Sequence, residues 1–72
     1  MQTSFAARLA LEQYLVWEEQ FGSYEAYTFT LGYVAGMVGR NGLTYTQYTT
    51  ITEGTGRLLP KQFKEHLKLL TS

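Results

Sequence analysis

Cysteine and aspartate are absent from this 72-residue chain, and proline and histidine occur once each. Without cysteine there is no disulfide framework and no thiolate metal site, so a fold this small must be held by apolar packing or by self-association. No apolar run approaches the roughly eighteen residues that a membrane span needs. The opening Met1-Gln2-Thr3-Ser4 lacks the basic start of a signal peptide, which makes a cytoplasmic protein the expectation. At this length the chain supports one small helical domain, residues 1–72, burying about 60% of its unfolded surface.

The same scarcity bears on chemistry. His66 is the only imidazole available as a general base, and its place on a lysine-rich helix beside an apolar Leu67 makes it a boundary residue first. Glu18 and Glu19 are adjacent, but neighbouring helical residues diverge by about 100°, so the two carboxylates do not converge on one atom. Gly54-Thr55-Gly56-Arg57 lacks the full dinucleotide fingerprint and reads as a connector. A non-enzymatic protein with no cofactor and no metal is therefore the expectation.

What the chain does contain is aromatic and helical. Thr3 to Phe21 has no Gly or Pro and predicts a helix of about five turns. On a helical wheel Phe5, Leu9 and Val16 form one stripe and Ala6, Ala10, Trp17 and Phe21 an adjoining one. Leu11 and Leu15 fall on the far side, so the helix is either central in the fold or shared with a second subunit. Gly22-Ser23 ends it, with Ser23 placed to N-cap a second helix.

Tyr24, Tyr27, Leu31, Val34 and Val38 recur at helical spacing and predict a helix over 23–39. A rival reading exists, in which residues 27–33 alternate as a strand and Asn41-Gly42 makes a hairpin turn. The next segment decides between them. Thr44 and Gln47 have the spacing of a capping box, and Leu43 and Tyr48 that of a hydrophobic staple, both of which start helices. A third helix over 44–53 with Gly54 as C-cap follows, then a fourth over 60–70 with Pro60 in its first turn. In the fourth, Leu59, Phe63, Leu67 and Leu70 face inward while Lys61, Lys64 and Lys68 line the other side. The fold class is all-α, a small bundle of four helices. Gly32, Ala35, Gly36 and Gly39 form a small-residue strip on the second helix, and an internal Gly costs about 1 kcal/mol against Ala, so another helix should approach closely there.

Lysine plus arginine equals glutamate at six each, but the signs are segregated. Residues 1–36 carry Arg8 against Glu12, Glu18, Glu19 and Glu25; residues 37–72 carry Arg40, Arg57, Lys61, Lys64 and Lys68 against Glu53 and Glu65. Two binding functions fit this pattern. The first is a protein-binding regulator, inhibitor or adaptor, self-associating as a homodimer. It rests on eleven aromatics, six of them tyrosine, which exceed what so small a core takes in. Its contact residues would be Leu11, Leu15, Trp17, Tyr24 and Tyr27. The second is nucleic acid, because Val34, Ala35, Val38 and Gly39 resemble the apolar, small, apolar and turn-glycine spacing of a helix-turn-helix. That arrangement would point Thr46, Gln47 and Thr50 at base edges and place Arg40, Arg57, Lys61 and Lys64 on phosphates. Zero net charge argues for the protein partner.

Overall fold

A computed structural model describes residues 1–54 and 57–72, so the connector expected at Thr55 and Gly56 lies outside the described residues. The order of elements is α1 (Thr3–Phe21), α2 (Ser23–Ala35), α3 (Tyr45–Thr52) and α4 (Pro60–Thr71). No strand occurs among the described residues, only an isolated bridge between Val38 and Leu43.

One glycine makes the first corner. Gly22 adopts φ 92°, which closes α1 through its N–H to Glu18 O (3.0 Å) and opens α2 by accepting from Ala26 N (3.1 Å). A positive φ of this size suits a residue without Cβ. Ser23, expected as the N-cap, is instead the first helical residue, and no side chain caps α2, since Gly22 turns the chain with backbone bonds alone. The product is a tight antiparallel hairpin of the two longest helices.

α2 stops at Ala35, four residues before the expected end, and a nine-residue loop over 36–44 replaces the short turn. Helical spacing at Val34 and Val38 would have continued the helix, but three interactions outweigh it. Asn41 Nδ2 donates to Gly36 O (3.2 Å), and Leu43 N and Gly39 N pair with Met37 O and Leu43 O at 3.1 and 2.9 Å. Gly39 and Gly42 supply positive φ of 82° and 91°. This loop buries Met37 and Leu43, which a straight helix could not place together. The Asn41-Gly42 turn signature is thus used inside a loop between helices.

α3 opens as its sequence requires. Thr44 Oγ1 accepts from Gln47 N (3.0 Å) and Gln47 Oε1 accepts from Thr44 N (2.9 Å), a complete capping box, and Leu43 and Tyr48 both lie against the core. Its C-terminus comes one residue early, because Glu53 takes the left-handed conformation (φ 50°) ahead of Gly54. Thr44→Ala is expected to cost about 0.5–2 kcal/mol in urea denaturation; an unchanged midpoint would show that the box carries no stability.

The core is centred on a face of α1 made of Ala6, Ala7, Ala10 and Tyr14, all fully buried. Small side chains there let α2 and α4 approach on either side, and Val34, Ile51, Phe63 and Leu67 fill the space between. Of the stripes on the α1 wheel, the one holding Ala6 and Ala10 supplies this face. Phe5 and Val16 are exposed, as the alanines occupy the central position and the bulkier stripe is turned outward. Leu59, also expected inside, is exposed one residue before α4 begins, where Gln62 Oε1 accepts from its N–H (2.9 Å). The hydroxyls of Tyr27 and Thr30 are buried without a protein partner, a destabilising feature of this core.

Candidate protein-binding face

The α1–α2 hairpin turns one broad side to the core and the other to solvent. On the outer side, Trp17 of α1 meets Phe29 and Tyr33 of α2 edge-on, with centroids 5.8 and 5.9 Å apart. Phe21 meets Phe29 in the same way at 5.6 Å. Edge-to-face contact is the arrangement favoured by the ring quadrupoles, so these rings hold a fixed relief on the surface. They are not covered. Phe21 and Phe29 are 51% and 44% exposed, and Val16 is 47% exposed. Further along, Leu9, Gly32, Tyr33, Gly36 and Met37 line a shallow groove of about 550 Å³.

The middle of this strip holds no charged side chain, and Glu25, one turn before Phe29 on α2, stands at its end. Successive residues at about 100° place Leu9, Gln13, Val16 and Gln20 along the outer side of α1, with Arg8, Glu12 and Glu19 on one margin. At that margin the Arg8 guanidinium sits 5.2 Å above the Phe5 ring, satisfied by a π face. Charge depletion around aromatic residues marks the centre of protein interfaces.

Some of the remaining charges meet within the molecule. Lys64 Nζ pairs with Glu18 Oε1 at 3.0 Å, joining the acidic half of the chain to the basic half. Beside this pair, Tyr14 donates to Pro60 O (3.3 Å). Burial, reinforced by the Glu18 carboxylate, pushes the Tyr14 phenol up to about 12. His66 Nε2 lies 2.7 Å from Thr50 O and 3.4 Å from Glu53 Oε2. A carbonyl only accepts, so this nitrogen carries the proton and ties α4 to the end of α3. No group of three His, Cys, Asp or Glu residues able to hold a metal ion occurs among the described residues.

The expected contact residues are dispersed. Trp17 is half-buried in the outer face and Tyr24 is exposed at the start of α2. Leu15 is exposed, but Leu11 is half-buried against the core, so the pair does not form one free patch. Tyr27 is a correction: its ring packs on Phe63 (5.1 Å) and it is buried, because α4 lies over that side of α2. Phe29 and Tyr33 were missed. Their four-residue spacing was legible, but the tyrosine stripe beside them, with Tyr24 and Tyr27, drew the contact assignment.

The nucleic-acid set is only partly free. Arg40, Thr46, Thr50, Arg57 and Lys61 are exposed, whereas Lys64 is engaged by Glu18. Gln47 is a second correction, since it is not free to read a base. Besides the capping box, its Nε2 donates to Met1 O (2.6 Å) and Thr3 Oγ1 (3.1 Å), tying α3 to the start of α1. Tyr45, placed inward by the helix-turn-helix spacing, is 70% exposed. The nine-residue separation of α2 from α3 exceeds the three or four residues of that motif's turn.

Comparison with protein-family models, with characterised proteins and with solved structures finds no match. No helix among the described residues is long and apolar enough to cross a membrane.

Proposed function

We propose that this is a non-enzymatic helical module that works by binding protein, as a regulator, inhibitor or adaptor, and that the outer face of the α1–α2 hairpin is its contact surface. One observation carries the reading: a strip without charge at its middle in which Val16, Phe21 and Phe29 are each about half exposed, with Phe29 held edge-on between Phe21 and the single Trp17. Aromatic anchors surrounded by uncharged surface supply most of the energy in protein interfaces. The alternative, DNA binding through α3, is less well supported because Gln47 is held by three intramolecular partners and Lys64 by Glu18.

Val16→Glu tests the choice, since it places a charge at the centre of the strip without entering the core. The wild-type protein, immobilised, should retain protein that Val16→Glu does not, with the helical circular dichroism of the two unchanged. Neither should hold duplex DNA at about 0.15 M salt. Retention of duplex by both proteins at that salt, with protein capture indifferent to the substitution, would reverse the assignment.

A further inference from the structure

We infer that the occupant of this face is a second copy of the same chain, packed across a two-fold axis so that the outer ridge of α1 in one protomer lies along α2 of its partner. The inference rests on the proposed binding role of the face and adds what fills it.

Three observations support a self-pairing. The first is that ridge and groove lie on the same face. Val16 stands out from α1, while Gly32 on neighbouring α2 and Gly36 just past its end leave a depression walled by Leu9. A Cβ added at Gly32 would meet nothing within 4 Å, and one at Gly36 would meet only the carbonyls of Tyr33 and Gly32 in its own helix. Close approach of a helix would compensate these mid-helix and end-of-helix glycines, and no element of the chain makes it. An isologous contact requires a surface to complement itself, which a ridge beside a groove does.

The second is electrostatic. Net charge is zero and the middle of the strip, Leu9 to Val16 on the outer side of α1 and Phe29 to Gly36 on α2, holds no charged side chain, so two identical faces meet there without repulsion. The third is size. A stable interface needs about 800 Å² from each partner. The protomer exposes 4419 Å² and its Cα extents are 29 × 21 × 20 Å, so that requirement is about a fifth of the surface, close to one long side. The hairpin of α1 and α2 forms one such side.

Sedimentation of the full chain across a concentration series, with Trp17 emission followed on dilution, tests the pairing. The wild type should sediment at twice the 8.2 kDa protomer mass, and its emission should shift to longer wavelength as it dissociates. Val16→Glu should be monomeric throughout. Gly32→Ala is the sharper variant, because alanine favours the isolated helix but fills the groove. It should raise the thermal midpoint of the monomer while weakening the dimer about tenfold or more. Gly32→Gln should behave similarly in the dimer and serves if Val16→Glu does not fold. A monomeric wild type, or a dimer indifferent to both positions, overturns the inference. A monomer whose protein capture is still lost in Val16→Glu overturns the pairing alone and leaves the binding role standing.

Discussion

Phe63→Ala is expected to be the most destabilising single substitution in the core, removing about 3–5 kcal/mol. Phe63 is fully buried and packs edge-on against Tyr14 of α1 (6.0 Å) and Tyr27 of α2 (5.1 Å), so one ring joins three of the four helices. Removing a buried phenylalanine ring costs about 3–5 kcal/mol, including the cavity left behind. A domain of this length has about 4–11 kcal/mol of stability in total. Urea denaturation followed by circular dichroism should show the transition moved to markedly lower denaturant, with Phe63→Leu intermediate. A shift worth under about 1 kcal/mol would mean that α4 is not held through this ring.

Alkaline destabilisation is the second large effect, and Tyr14 is its source. The phenol is pushed from 10.0 up to about 12 in the folded protein, first by burial and then by the Glu18 carboxylate. Because the folded value is the higher one, the neutral phenol is retained in the fold while the unfolded chain already ionises. Stability is therefore intact below about pH 10 and falls as the pH rises toward 12, by about 2–3 kcal/mol over that window at 1.36 kcal/mol per pH unit. Tyr14→Phe should remove most of this dependence, at the cost of the hydrogen bond to Pro60 O near neutral pH. Equal pH slopes for wild type and Tyr14→Phe between pH 10 and 12 would assign the alkaline transition elsewhere.

Much of the fold is legible in local chemistry. The Thr44–Gln47 box, Gly22 at the first corner, Pro60 at the head of α4 and the separation of Phe63 and Leu67 from the lysines each act over three or four residues. Interactions of that range are written in the order of residues. The end of α2 was not legible, since Val38 continues the helical stripe. Only the pairing of the loop with Leu43, together with burial of Met37, shows why the helix stops at Ala35.

By itself, then, the sequence determined the all-α class, four helices in order and the starts of α3 and α4, because caps, glycines and amphipathic spacing are local signals. It also determined that α1 has apolar residues on more sides than a single partner can cover. Which side faces inward was decided only by tertiary packing. The wheel shows several apolar stripes without marking the inward one; close helix approach favours the small side chains, so Ala6, Ala7 and Ala10 went inside and Phe5 and Val16 turned outward. The same packing buried Tyr27, engaged Gln47 with Met1 and Thr3, and set Trp17 against Phe29 and Tyr33. Each of these contacts joins residues at least ten positions apart in the chain, and periodicity carries no information about a partner on another helix.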